Sequence, residues 1–229
     1  MISLKRKFLI ILGAFLFLLI LIISVYAKTN GKDKELALLG KVIYIDPGHG
    51  GRDSGTIYGN ILEKDLNLEI SLELQQELGK QGAIVYLTRN EDEDLSSIYD
   101  KRKKRGDLYR RILLISDKEK SVDLYLSIHI NWYDNPYWGG AEVLYHPINE
   151  KNKILGQIIM DNFKTDLGTK RVLKKTDLYM YKNLTVPGVL IECGFLSNYN
   201  DRTSMQNKKY QNLLARSITN SVIEYFNTK

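Results

Sequence analysis

Two histidines and two glutamates lie where the sequence predicts the ends of strands and the start of a helix. His49 lies in a glycine-rich turn after the first predicted strand, and His129 ends the third predicted strand. Glu192 follows a later strand in the same way, whereas Glu63 opens the first predicted helix. Because sites in open α/β sheets form outside the carboxyl ends of the strands, these side chains are expected to face one crevice.

The residue types in this set suit zinc-assisted hydrolysis. Zn²⁺ binds imidazole nitrogen and carboxylate oxygen at about 2.0–2.2 Å, and catalytic sites use three protein ligands and a water molecule. The metal lowers the pKa of that water to roughly 7 and polarises a carbonyl, and a further carboxylate moves the proton to the leaving amine. The four residues satisfy no local motif, so their spacing leaves two other interpretations open: hydrogen-bonded structural histidines, and a salt-bridged surface acid at Glu192.

The elements that must position these residues alternate between short apolar runs and amphipathic segments. Strands are expected over residues 42–45, 83–88, 124–130, 141–145, 178–181 and 188–191. Helices are expected over residues 63–80, 153–163 and 210–226, and the charged residues 95–120 form one helix or two. Strands separated by helices predict an α/β fold. We expect a single domain with a mixed, mostly parallel twisted sheet and helices on both faces.

The N-terminal segment, residues 1–27, predicts export of the chain. Lys5, Arg6 and Lys7 precede an uncharged, apolar stretch over residues 8–27, long enough to span a bilayer as a helix. The basic flank places the rest of the chain outside the cytoplasm. Two interpretations stay open, an uncleaved membrane anchor and a signal peptide cleaved after Ala27.

The remainder divides into a polar linker over residues 28–40 and a domain over residues 41–229. The whole chain carries 33 Lys and Arg against 27 Asp and Glu, a net charge of +6. Three of the basic residues belong to the N-terminal segment, so the remainder has a weak charge that does not favour a nucleic-acid partner. The single cysteine, Cys193, excludes an internal disulfide.

Four segments of this domain resemble, in order, the motifs of zinc-dependent N-acetylmuramoyl-L-alanine amidases. The first two are residues 45–51 (Ile-Asp-Pro-Gly-His-Gly-Gly), with Asp53-Ser54-Gly55 close behind, and residues 63–68 (Glu-Lys-Asp-Leu-Asn-Leu). The other two are residues 127–131 (Ser-Ile-His-Ile-Asn) and residues 187–198, which contain Ile-Glu-Cys-Gly-Phe. Each motif alone is only moderately specific, whereas the four in this order are highly specific.

The resemblance implies a role for each of the four ionisable residues. His49, Glu63 and His129 are implied to hold one Zn²⁺ per chain, and Glu192 is implied to be the catalytic acid and base. The implied substrate is peptidoglycan, cleaved at the amide between N-acetylmuramic acid and L-alanine. A zinc peptidase that cuts within the stem peptide and a non-catalytic wall-binding module are the alternatives.

The short chain, its N-terminal segment and its lack of wall-binding repeats resemble the sporulation and germination branch of that family. This resemblance implies action on spore cortex as a step toward muramic-δ-lactam. It also implies a location at the extracytoplasmic face of the membrane, in the cell wall or in the cortex. An accessory activating protein is a partner that the sequence leaves open.

Five further residues are expected to support the metal site or to bind substrate. Asp46 and Ser127 are expected to orient a histidine, and Asn131 belongs to the third motif. Trp132 and Trp138 lie in an aromatic stretch that forms either a platform for sugar rings or a loop packed on the domain edge.

The basic run over residues 101–105 also has two interpretations. It either contacts an anionic lipid or wall polymer or forms a solvated helix face.

Overall fold

The computed structural model describes residues 4–30 and 36–228, and its contacts divide the chain into two units. The first unit, up to Leu36, contains the helix α1 (Leu4–Asn30). Within the described residues, no helix meets the length and apolarity that crossing a membrane requires, although the sequence predicts such a segment within residues 1–27. Of the predicted linker, residues 28–30 belong to α1 and residues 31–35 lie outside the described residues.

The second unit, from Ala37 onward, is an α/β domain. Its strands are β1 (Val42–Pro47), β2 (Ile57–Tyr58), β3 (Ile61–Leu62), β4 (Ile84–Leu87), β5 (Leu124–Asn131), β6 (Glu142–Tyr145), β7 (Lys174–Lys175) and β8 (Gly188–Phe195). Its helices are α2 (Glu63–Lys80), α3 (Lys103–Ile115), α4 (Glu150–Asp166), α5 (Tyr199–Met205) and α6 (Lys208–Asn227).

Six of the strands form one sheet in the order β4-β1-β5-β8-β6-β7, and β2 and β3 form a small hairpin. In the large sheet β4, β1, β5 and β8 are mutually parallel, β6 is antiparallel to β8, and β7 is parallel to β6. The predicted mixed, mostly parallel sheet is therefore confirmed.

The larger apolar core lies between one face of this sheet and the helices α2, α4 and α6. Alternate residues of β1, among them Ile43 and Ile45, point into it. Leu74 of α2 and Phe163 of α4 are fully buried there. This face carries apolar packing and stabilises the domain.

A smaller cluster covers the opposite face, where α3 packs on the sheet. The cluster contains Ile112 and Ile115 of α3 together with Tyr44, Tyr125 and Leu190 from the central strands. Helices on both faces are therefore confirmed. Every second side chain along a strand points to the same face. The polar residues two positions after Tyr44, Tyr125 and Leu190, near the strand ends, therefore also lie on the α3 face.

Two of the predicted elements differ from the observed ones. Residues 178–181, expected as a strand, form a turn followed by one turn of 3-10 helix, Tyr181–Asn183. Met180 and Tyr181 are apolar because they pack into the smaller cluster, not because they pair in the sheet. In the charged region the helix α3 begins only at Lys103. The segment before it is irregular, because Asp107 accepts a hydrogen bond from Leu95 N and Asp100 accepts one from Ser97 N.

The larger core predicts a difference between two leucine substitutions. Leu74→Ala removes a fully buried side chain and is expected to lower the free energy of unfolding by about 2–5 kcal/mol. Leu213→Ala, on the outer side of α6 where the residue is 43% exposed, is the matched control and is expected to change it by less than about 1 kcal/mol. Denaturant titration followed by circular dichroism measures both, and equal losses would contradict this description of the core.

Candidate metal centre and active site

The turn after β1 places His49 in an unusual backbone conformation. His49 has a φ of 62°, in the left-handed region that non-glycine residues seldom adopt. The guanidinium of Arg111 holds this turn by donating hydrogen bonds to the carbonyl oxygens of Pro47 at 2.7 Å and His49 at 2.6 Å. Gly48 is required between them, since a Cβ at this position would overlap the imidazole of His129.

Glu63 is the first residue of α2, and its buried carboxylate lies between the two histidines. Its Oε1 atom is 3.1 Å from His49 Nε2 and 3.1 Å from His129 Nδ1. The Thr56 backbone N–H donates to Oε2 at 2.8 Å. Burial opposes ionisation, but the hydrogen bonds with His129 and His49 outweigh it, so the pKa of Glu63 lies far below its usual range.

The donor atoms of His49, Glu63 and His129 all lie within 4.8 Å of one another. Two imidazoles and one carboxylate form a donor set that catalytic zinc sites use. Tetrahedral coordination at about 2.0–2.1 Å separates the ligand atoms by roughly 3.3 Å, close to the observed separations from Glu63. These three residues therefore fit a Zn²⁺ ion.

Asp53 contacts the first histidine of this set and was not singled out from the sequence. Its Oδ2 atom lies 3.0 Å from His49 Nδ1. Burial lowers the pKa of His49, but the hydrogen bonds with Glu63 and Asp53 outweigh burial and raise it. A carboxylate on the second ring nitrogen fixes the tautomer and orientation of a metal-binding histidine. The signals in the sequence are its place just after the first motif and its position four residues after His49.

Glu192 lies on β8 directly opposite His129 of β5 in the sheet register. Its Oε2 atom is enclosed and has no hydrogen-bond partner. Burial and the nearby carboxylates of Glu63 and Glu142 raise its pKa well above the usual range, and Lys174 opposes this only weakly. A carboxyl group in this environment can hold a proton beside the metal ligands.

Glu142 is a second acid that sequence reasoning missed. It lies on β6, opposite Glu192 in the antiparallel register, and it is almost fully buried. Its Oε2 atom accepts ion pairs from Arg171 at 2.7 Å and Lys174 at 2.8 Å. The signal in the sequence was a charged residue inside an otherwise apolar strand.

The structure places Asp46 and Ser127 side by side, but neither contacts a histidine ring. Asp46 accepts hydrogen bonds from Arg111, Ser127 and Thr88, each at 2.7 Å. Burial opposes the charge on Asp46, but Arg111 and these hydrogen bonds outweigh it and lower the pKa. The expectation that Asp46 orients a histidine therefore differs from the observed contacts, because its charge is used to hold Arg111.

The third motif and the aromatic stretch lie at one rim of the cleft. Asn131 donates to Glu142 Oε1 at 2.9 Å, and Trp132 lines the cleft together with Thr56, His49, Glu63 and His129. Trp138 lies outside this lining. Its ring stacks on Tyr133, with centroids 4.6 Å apart, and on the guanidinium of Arg171.

The sequence matches a known protein family and curated relatives. Residues 43–224 match the family model described as N-acetylmuramoyl-L-alanine amidase. The chain is 38% identical to the germination-specific N-acetylmuramoyl-L-alanine amidase of Bacillus subtilis, over 98% of this chain and 97% of that protein. It is 31% identical to the amidase LytC of the same organism, over 82% of this chain but 36% of LytC.

The fold matches that of solved structures as well. The CwlD amidase of Clostridioides difficile, solved in complex with the GerS lipoprotein, superimposes with a TM-score of 0.78. That match has 31% sequence identity and covers 83% of this chain and all of that one. The catalytic domain of CwlV from Bacillus (Paenibacillus) polymyxa matches with a TM-score of 0.70 at 26% identity, covering 82% of this chain and 99% of that one.

The contact between Asp53 and His49 predicts the effect of removing one charge. Asp53→Asn is expected to lower the affinity for Zn²⁺ by about 10–100-fold, because the amide no longer fixes the imidazole as a carboxylate does. Competition with a chromophoric chelator measures this affinity. Asp161→Asn on α4, where the carboxylate pairs only with local side chains, is the control and leaves it unchanged. Equal affinities in the two variants would contradict the role of Asp53.

Proposed function

The chain belongs to the N-acetylmuramoyl-L-alanine amidase family, and on this premise we propose that it is a zinc amidase that separates the stem peptide from N-acetylmuramic acid in peptidoglycan. The observation that carries the proposal is the convergence of His49, Glu63 and His129 beside the enclosed carboxyl group of Glu192. In this proposal the catalytic domain comprises residues 41–229.

The residues of the cleft have separate tasks. His49, Glu63 and His129 would hold the metal, which when bound activates water and polarises a carbonyl group. Glu192 takes the proton from the attacking water and delivers it to the amide nitrogen that leaves. Its enclosure and the neighbouring carboxylates raise its pKa, which favours the protonated form that donates to the leaving nitrogen.

The site of action proposed is the spore cortex. Support comes from the germination-specific relative in Bacillus subtilis, which matches over nearly the whole length of both chains. Hydrolysis of this amide leaves the lactyl carboxyl group of muramic acid free, and that group is the one needed to close a δ-lactam. The enzyme would therefore act before the lactam-forming step.

Export and an accessory protein belong to the same proposal. The apolar residues 8–27 after a basic flank would direct the domain to the extracytoplasmic side, as a membrane anchor or a cleaved signal peptide. A lipoprotein is the class of activating partner that we propose, because the similar CwlD amidase was solved in complex with one.

Product analysis tests the proposed reaction directly. The full chain is incubated with peptidoglycan, and the products are identified by mass spectrometry with and without a zinc chelator. Free stem peptides that begin with L-alanine are expected, and they should disappear on chelation and return with added Zn²⁺. Glu192→Gln is the matched variant and is expected to bind Zn²⁺ normally while losing at least about 100-fold in rate.

Other outcomes would contradict the proposal. Shortened stem peptides that remain attached to muramic acid would identify a peptidase instead. Binding to peptidoglycan without any product, even with a partner lipoprotein present, would identify a wall-binding module. Near-normal activity of Glu192→Gln would show that another group moves the proton.

The aromatic rim predicts a loss of glycan affinity. We propose that the face of Trp132, which is 40% exposed at the cleft, stacks on a sugar ring of the substrate. Trp132→Ala is expected to raise KM about three- to tenfold, because one stacking contact is worth about 0.5–1.5 kcal/mol. Trp138→Ala tests the other tryptophan, whose stacking on Tyr133 and Arg171 predicts a smaller effect.

Tyr137→Ala is the control in the same loop, since this ring is 91% exposed and outside the cleft lining. Equal KM values for Trp132→Ala and Tyr137→Ala would exclude the stacking role.

A further inference from the structure

Beside the residues that fit the metal, the cleft continues as a mainly apolar pocket whose lining does not include Trp132. This pocket has a volume of about 360 Å³ and shares His49, His129 and Glu192 with the catalytic centre. Its other walls are mainly apolar and come from α3, β8 and the turn before Tyr181; they include Leu108, Leu178, Met180 and Leu190. The turn that the sequence suggested as a strand therefore forms a wall of the cleft.

Cationic side chains border this pocket at the start of α3. Lys104 lines both this pocket and the part of the cleft that contains Trp132, and it is largely exposed. Beyond Tyr179 a second, open depression is lined by Lys101, Arg102 and Arg105. Tyr179 belongs to both depressions, and the guanidinium of Arg105 lies 5.1 Å from the centre of its ring. The basic run of residues 101–105 thus lies beside the cleft.

Three of these cations are not used to hold the fold. In the described part of the chain, Lys101, Arg102 and Arg105 form no ion pair, whereas Lys104 pairs with Asp53 at 3.6 Å. Other cations of this region do have structural partners: Lys103 donates to backbone carbonyls, Arg110 pairs with Asp100, and Arg111 pairs with Asp46 and Asp107. The one acid in the open depression, Asp100, is engaged by Arg110 and Ser97 N.

The order of these features along the cleft matches the chemistry of a muramyl peptide. The sugar lies on one side of the scissile amide, and the other side begins with the small apolar residue L-alanine. The stem peptide then carries free carboxyl groups, starting with that of its second residue. The aromatic rim, the metal centre, the apolar pocket and the cations of the open depression follow one another in the same order, because neighbouring depressions share lining residues whereas the first and the last share none.

We propose that Lys101, Arg102 and Arg105 bind the carboxylates of the stem peptide, with the L-alanine end in the apolar pocket, and so select peptides with free carboxyl groups. This inference rests on the proposed amidase function and adds the direction in which the substrate crosses the metal centre. Because the cations are exposed, the attraction is modest and is weakened by salt.

Binding of the product peptide tests the inference without turnover. The full chain is titrated with L-alanyl-D-glutamyl peptides that carry either a free α-carboxyl group or the corresponding amide. The free acid is expected to bind more tightly to the wild type. Lys101→Gln with Arg105→Gln is expected to weaken its binding about fivefold, the effect of two exposed ion pairs, and to leave binding of the amide unchanged.

A charge-matched variant and a second substrate complete the experiment. Lys151→Gln with Lys153→Gln removes two exposed cations from α4, on the opposite face of the sheet, and is expected to change neither affinity. Thermal unfolding of all variants monitors the fold. Hydrolysis of N-acetylmuramoyl-L-alanyl-D-glutamate and its amide is measured in parallel and should show the same selectivity in kcat/KM.

The two proposals fail in different ways. Hydrolysis of both substrates without preference for the free acid, or unchanged binding in the Lys101/Arg105 variant, would overturn the peptide site and leave the amidase proposal intact. Selective binding of the free acid without hydrolysis would retain the peptide site and overturn the amidase. If the variant lost affinity only for vesicles containing phosphatidylglycerol, the cations would belong to a lipid contact and the peptide site would be wrong.

Discussion

The buried guanidinium of Arg111 connects α3, β1 and the turn that carries His49. It pairs with Asp46 inside the domain and donates to the carbonyl oxygens of Pro47 and His49. Loss of one partner of a buried pair is costly, by about 3–5 kcal/mol, because the other charge stays buried without compensation. The left-handed backbone of His49 is strained by itself and persists because these bonds hold it.

A second guanidinium reinforces the same turn. Arg89 donates to the carbonyl oxygens of Pro47, Gly48 and Lys64, and so ties the turn to the first residues of α2. Burial and the adjacent Arg111 lower the pKa of Arg89 to about 10, so it still carries its charge at neutral pH. The position of His49 relative to Glu63 therefore depends on two arginines that are not themselves metal ligands.

The three carboxylates near the cleft differ in the groups that face them. Glu63 faces two histidines, and Glu142 is neutralised by Arg171 and Lys174, which leaves Glu192 without a cation in direct contact. Its pKa rises because burial and its two acidic neighbours disfavour a further negative charge. The register of β5, β8 and β6 produces this arrangement, since it sets Glu192 opposite both His129 and Glu142.

The sequence by itself determined the α/β class, the bounds of α2 and the residue types at the strand ends, because hydrophobic periodicity and turn residues are local properties. Its motifs also named His49, Glu63, His129 and Glu192. Only the tertiary structure decided what surrounds them. Glu142 and Arg111 acquire their importance from contacts with residues that other elements bring close, and no local pattern encodes such contacts. Residues 178–181 show the same limit, because the side chains of Met180 and Tyr181 pack into the smaller apolar cluster and the segment does not pair as a strand.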